Sequence, residues 1–212
     1  MLVIKKRLSS EVRKIEILKA AWRVCAKKGF SEATLDEIAK EAKVSRALII
    51  QHFKNKENLY GVLIDFLFET HPLEKDLNIV KYIHKKDDIG VFKAFWKHIY
   101  THMLKNGNYS PLKLIFFSML ERPKLYKKHY RKRITKGIEI LERYILERIK
   151  EGTFREVNPH YVVISFFFMI IQLIIHELIF PEIFNQNVVS SIMETMIQIL
   201  VDGLKEGGEK WK

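Results

Sequence analysis

A chain of 212 residues that is 48% hydrophobic, with nine glycines and five prolines, has room for one large or two small domains and can bury a sizeable core, which excludes a disordered or collagen-like chain. Its one cysteine, Cys25, excludes an internal disulfide and a thiolate metal cluster. The net charge of +12, with fourteen Lys and Arg against seven Asp and Glu in residues 1–60, suits a polyanion such as DNA or an anionic membrane, and a solvated lysine-rich surface explains it equally well until a motif decides.

The first predicted helix covers residues 10–28, with Ile15, Leu18, Trp22 and Cys25 at helical spacing, a serine cap at Ser9 or Ser10, and Gly29 as its stop. Phe30 is placed to fold back onto it. Thr34 then caps a short helix bearing Leu35, Ile38, Ala39 and Ala42, and Thr34 with Glu37 forms a T-x-x-E capping box. A brief turn at Lys43-Val44 leads to Ser45, the cap of a third helix that runs to Phe53 and is broken by Lys54-Asn55. A fourth helix starts at Lys56 and must end or kink at His71-Pro72.

Farther along, helices are expected near 76–84, 89–106, 111–120, 123–151, 158–179 and 187–206, punctuated by Gly107, Pro111, Pro123, Gly152, Pro159 and Pro181. No window alternates convincingly as a strand, so the expected class is all-α. The stretch 161–180 is nearly long enough to span a bilayer. It contains Gln172, His176 and Glu177, which are costly in lipid, and a core or dimer-interface helix is the favoured reading. Residues 1–7 put apolar residues ahead of Lys5, Lys6 and Arg7, the reverse of a secretory signal. A cytoplasmic protein is therefore expected, and the Asn108-Tyr109-Ser110 sequon should be idle.

Residues 34–53 have helix-turn-helix organisation, in which the first helix braces on the phosphate backbone and the second lies in the major groove. The segments Ile17-Leu18-Lys19-Ala20-Ala21, Lys28-Gly29-Phe30, Ala33 to Ala39, Ala42-Lys43-Val44-Ser45 and His52 to Leu59 resemble the signature of the TetR family of transcriptional regulators. The resemblance covers about residues 12–64, and Ile149 to Arg155 matches more weakly. It implies a three-helix DNA-binding domain at 1–55 and a helical ligand-sensing and dimerisation domain at 56–212. It further implies a homodimer that binds a palindromic operator on double-stranded DNA and is released by a small apolar or amphipathic ligand, such as a fatty acid, an acyl-coenzyme A or a drug-like compound.

By position, the resemblance gives Thr34 and Lys56 to phosphate, Ser45 to phosphate or base, His52 to phosphate, and Arg46 to a guanine edge. Three positions depart from the family's habit. Ala47 stands where glycine is common, and its methyl can touch a thymine methyl. Leu48 replaces a polar residue and Ile50 a tyrosine, so neither can hydrogen-bond to DNA. Gln51 is the candidate to compensate. The N-terminal arm with Lys5, Lys6, Arg7, Arg13 and Lys14 is either a minor-groove arm or a solvated tail.

For the ligand, the aromatic and methionine positions Phe92, Phe95, Trp96, Tyr100, Met103, Phe116, Phe117, Met119, Phe167 and Met169 are candidates, with His98, His102, Gln172 and His176 as polar anchors. Each is individually more often plain core. The run from Arg122 through Lys124, Lys127, Lys128, Arg131, Lys132, Arg133 and Lys136 reads as a solvated face or as a phosphate site for an acyl-coenzyme A. No metal site, cofactor or catalytic motif is expected, and the chain reads as a non-enzyme. A membrane-associated or scaffolding helical protein and a DNA-binding activator stand as alternatives.

Overall fold

The computed structural model describes residues 9–69, 73–103 and 110–205, and among these no side chain is described at 68, 69, 110 and 129–134. The expectations for the N-terminal arm at Lys5–Arg7, for the Asn108 sequon, for Pro72 and Gly107, and for the side chains of Arg131, Lys132 and Arg133 lie outside the described residues. The described residues are helical: α1 Ser10–Glu32, α2 Leu35–Ala42, α3 Arg46–Phe53, α4 Lys56–Glu69, α5 Leu77–Lys85, α6 Asp88–Met103, α7 Ser110–Glu121, α8 Pro123–Lys150, α9 Pro159–Ile179 and α10 Gln186–Leu204. One short 3-10 turn, Leu73–Lys75, precedes α5, and one isolated bridge pairs Phe154 with Lys205.

The caps follow from local chemistry. Ser9, Thr34, Ser45, Asp76, Asn158 and Asn185 each accept a hydrogen bond from a first-turn amide of the helix they precede. Both halves of the Thr34–Glu37 capping box form. Gly29 interrupts α1 with φ 82°, a left-handed value that glycine takes without steric cost, and the chain turns there to deliver Phe30 into the core.

Two compact units result. Among the described residues the first comprises 9–69 with 110–131, and the second 73–103 with 132–205. In the first unit α1 packs against α2, α4 and α7, and α3 against α2 and α4. Ile17, Leu18, Ala21, Cys25, Phe30, Ile38, Ile49, Phe53, Leu59, Tyr60 and Leu63 close its core, together with Leu114 from α7. The helix α4, which begins just past the expected boundary at residue 55, shares this core. Of the apolar positions at helical spacing on α1, Ile15 is 40% exposed, and the buried stripe runs through Ile17, Leu18, Ala21 and Cys25. Burial pushes the Cys25 thiol up to about 12, so it behaves as a small apolar core residue.

In the second unit α6 packs against α5, α9 and α10, and α9 against α10. Phe92, Phe95, Phe166, Ile170, Ile174, Met193, Ile197 and Val201 are fully buried there. The Ile149–Arg155 stretch closes against the end of α10, where the Arg155 amide donates to the Leu204 carbonyl at 2.8 Å.

Candidate nucleic-acid interface

The geometry of the head starts from two short capped helices. The Thr34 hydroxyl accepts from the Glu37 amide at 3.2 Å, and the Glu37 carboxylate accepts from the Thr34 amide at 3.0 Å and the Thr34 hydroxyl at 3.1 Å. Lys28 donates to the same carboxylate. The Lys28 ammonium and the two Thr34 donors hold the Glu37 carboxyl well below its usual range, at about 2. Ser45 caps α3 by accepting from the Leu48 amide at 3.2 Å.

On α3, Ile49 and Phe53 are buried, His52 is half-buried, and Arg46, Ala47, Ile50 and Gln51 face solvent. The exposed face therefore offers one guanidinium, one amide and two aliphatic groups. Arg46 is fixed by an ion pair: its Nη1 donates to Asp36 Oδ2 on α2 at 3.1 Å, with the two side chains 58% and 67% exposed. Sequence reasoning missed Asp36 as a partner; the available signal was an acid at the second position of α2 opposite a base at the first position of α3.

Lys56 has an internal role that its phosphate reading did not include. Its ammonium donates to the Ser31 carbonyl at 3.1 Å and lies 4.4 Å above the Phe30 ring. The Arg122 guanidinium lies 4.7 Å from the same ring, so Arg122 is not simply part of a solvated basic face. Glu121, at the end of α7, accepts from the Ser31 amide at 2.8 Å, and the Tyr60 hydroxyl pairs with Ser118 at 2.8 Å. The loop leading into α2 is thus held by α4 and α7.

The candidate ligand residues divide between the two units. Phe92, Phe95, Trp96 and Tyr100 are buried on α6, with Met103 half-buried at its end. Phe167 is half-buried on α9, while Phe116 and Met119 stand on α7 in the first unit, Met119 being 43% exposed. Met169, half-buried, also lies on α9. Phe92 stacks edge-on with Phe166, centroids 5.0 Å apart, and Trp96 lies 4.5 Å from Tyr100. Gln172 and His176 bond to each other along α9 at 3.1 Å, and His98 is engaged with Asp76 at 2.7 Å. The buried polar group of α9 is Glu177, both of whose oxygens lie 2.9 Å from the Tyr100 hydroxyl. It was visible in the sequence as the one acid of the apolar run. Among the described residues no cluster of three or more His, Cys, Asp or Glu is arranged to hold a metal ion.

Residues 17–63 match the family described as "Bacterial regulatory proteins, tetR family". Over 70 residues the chain is 37% identical to the HTH-type transcriptional regulator TtgR of Pseudomonas putida, an overlap that spans only 33% of either protein. The fold is similar to that of a TetR transcription regulator from Haloarcula marismortui, with a TM-score of 0.69 at 18% identity, covering 92% of this chain and all of that one. NalD of Pseudomonas aeruginosa, the secondary repressor of the MexAB-OprM multidrug efflux pump, gives a TM-score of 0.67 at 18% identity, covering 94% of this chain and all of that one. Structural likeness at such identities speaks to fold alone. Residues 17–63, with their capped helix-turn-helix, are thus similar to the tetR family, and the fold is similar to that of solved TetR regulators.

Proposed function

We propose that the chain is a cytoplasmic transcriptional repressor that grips a palindromic operator as a homodimer and lets go when a small apolar or amphipathic ligand binds. The observation that carries this reading is α3: eight residues, capped by Ser45, with Arg46, Ala47, Ile50 and Gln51 turned outward from an otherwise buried three-helix core. In this reading residues 1–55, with Lys56 at the start of α4, meet DNA, and the helices beyond sense and dimerise. Arg46 forks onto a guanine edge, Ala47 and Ile50 meet thymine methyls, and Gln51 reaches adenine or phosphate. Thr34, Ser45, His52 and Lys56 position the head on the backbone.

The exposed apolar faces of α9 and α10 support the dimer. An 18-residue apolar window of α9 has mean hydropathy 2.3 and only 33% of it is buried within the chain. Phe168 is 70% exposed and Ile199 67%. A second copy of the same two helices covers such faces in an isologous four-helix bundle. Ligand binding among Phe92, Phe95, Trp96, Tyr100, Met103, Phe167, Met169, Gln172 and His176 of the second unit then shifts the spacing of the two heads. Linkage makes the coupling reciprocal, on the order of 1–3 kcal/mol. The protein acts by binding and not by catalysis.

Selection of duplexes from a random library with the full-length protein, followed by footprinting, tests this directly. A two-fold symmetric site with half-sites about one helical turn apart is expected, and Arg46→Ala should relax preference at one base pair in each half. Failure to retain any duplex at low salt would end the reading. The second reading, membrane association, draws on the exposed apolar face of α9. It predicts pelleting with vesicles in the absence of detergent, where a dimer stays in the supernatant.

A further inference from the structure

Three non-glycine residues among those described have positive φ, and all three are lysines: Lys43 at 55°, Lys54 at 69° and Lys86 at 52°. This backbone region crowds Cβ against the neighbouring carbonyl, and glycine occupies it without that penalty. A lysine held there needs a reason beyond backbone preference. Lys86 has one inside the chain, because its ammonium pairs with Glu151 at 2.6 Å.

Neither Lys43 nor Lys54 is buried or in a salt bridge among the described residues, and Lys43 contributes only a weak longer-range attraction to Glu41, which is paired with Arg23. They also occupy special places. Lys43 is the left-handed cap that ends α2, its amide donating to the Ala39 and Lys40 carbonyls, and it forms the turn into α3. Lys54 is the cap that ends α3, its amide donating to Ile50 at 2.7 Å. One strained lysine therefore stands at either end of the helix that presents Arg46 and Gln51. Eight helical residues span about 12 Å, close to the roughly 12 Å width of the major groove.

We propose that Lys43 and Lys54 are a pair of phosphate-binding residues that seat α3 between the two sugar-phosphate rims of the groove. The partner is the DNA backbone, so they add affinity without sequence preference. The pair rests on the reading of α3 as the DNA-facing helix. It adds two backbone contacts to the ones expected from Thr34, His52 and Lys56, at positions where the local backbone favours a different residue.

Glycine substitution separates charge from conformation, because it removes the ammonium while relieving the strain. Full-length wild type, K43G, K54G, the double variant and the K43R/K54R control are titrated by anisotropy with a duplex selected by the wild type and with a scrambled duplex, between about 0.05 and 0.3 M KCl. Removing one lysine–phosphate pair should make the salt slope shallower by about 0.9, which corresponds to roughly eightfold weaker binding at about 0.1 M salt. Selected and scrambled duplexes should weaken alike, the arginine control should keep wild-type slope, and Tm should stay at or above wild type, since relieved strain offsets glycine's extra unfolded freedom. Wild-type affinity and slope in the double variant would overturn the proposal, as would weaker binding with a lower Tm and an unchanged slope. Wild type that binds no duplex would remove the function itself; wild type that binds beside unaffected variants would remove only this pair.

Discussion

Asp88→Asn should be among the more damaging single-atom changes in the second unit. Asp88 opens α6 and takes three hydrogen bonds: from Tyr144 Oη at 2.6 Å, from Arg148 Nε at 2.8 Å and from Arg148 Nη2 at 3.1 Å. The Arg148 and Asp88 side chains are only 11% and 10% exposed, so water screens the pair poorly. Its hydrogen bond to Asp88 raises Arg148 further above its already basic range, and burial, then Asp88, raises Tyr144. Asparagine keeps the shape and one acceptor, but presents an amide N–H₂ group to the guanidinium and removes the charge. Breaking a buried pair costs about 3–5 kcal/mol. Arg148 retains Glu151, which places the expected loss near the lower end, about 3 kcal/mol. For a chain of this length that is a Tm lower by roughly 6–12 °C. Urea unfolding should show a lower midpoint at unchanged slope, and the D88N/R148Q double variant should lose less than the sum of the single losses. A loss below about 1 kcal/mol would show that the pair behaves as a solvated surface bridge, and burial would then not govern its strength.

The exposed Arg46–Asp36 pair should behave differently: Asp36→Asn is expected to leave Tm within about 2 °C while raising affinity for scrambled duplex several-fold and narrowing the preference for selected duplex, because Arg46 is released and a carboxylate leaves the phosphate rim; unchanged anisotropy isotherms would refute it. The Glu37 carboxyl, depressed to about 2 by Lys28 and Thr34, contributes stability that is present above its ordinary pKa of 4.5 and is lost as pH falls from there towards 2. An acid titration followed by circular dichroism should therefore show Glu37→Gln less stable than wild type at neutral pH and converging with it near pH 2. If the proposed dimer forms through α9 and α10, Phe168→Asp with Ile199→Asp should give a folded monomer in sedimentation velocity, since both side chains are exposed within one chain; a dimer that survives would place the interface elsewhere.

Helices and caps were legible in the sequence because their causes are local. Thr34 and Glu37 sit three residues apart and close a box wherever α2 goes, and Asn158 followed by Pro159 starts α9 on the spot. What the sequence hid is which surface each apolar face meets. Ile15 and Ile17 both suit a helix, and only the arrival of α2, α4 and α7 selects Ile17 for burial. Helical spacing made Phe116 and Met119 look like companions of Phe92 and Trp96, yet α7 builds the core of the first unit through Leu114. For Lys56 and Arg122 the sequence suggested phosphate or solvent and not Phe30, because a cation over an aromatic ring leaves no mark in spacing; both meet Phe30. Glu177 shows the converse, a polar residue in an apolar run that signals a buried partner without naming Tyr100.

The same distinction bears on charge. Fourteen basic residues in the first sixty suggest a head that binds DNA by charge alone, but within that segment Arg13 pairs with Glu16, Arg23 with Glu41, Lys28 with Glu37 and Arg46 with Asp36. A cation that already faces a carboxylate must give up that contact before it can displace a counterion from phosphate, so its net gain on DNA is smaller than its formal charge implies. The acids on α2 therefore dilute sequence-independent attraction across the head while leaving the caps that orient α3 intact. A regulator gains from that arrangement, because specificity is the ratio of operator binding to non-specific binding, and the second quantity is the one that neutralised cations depress.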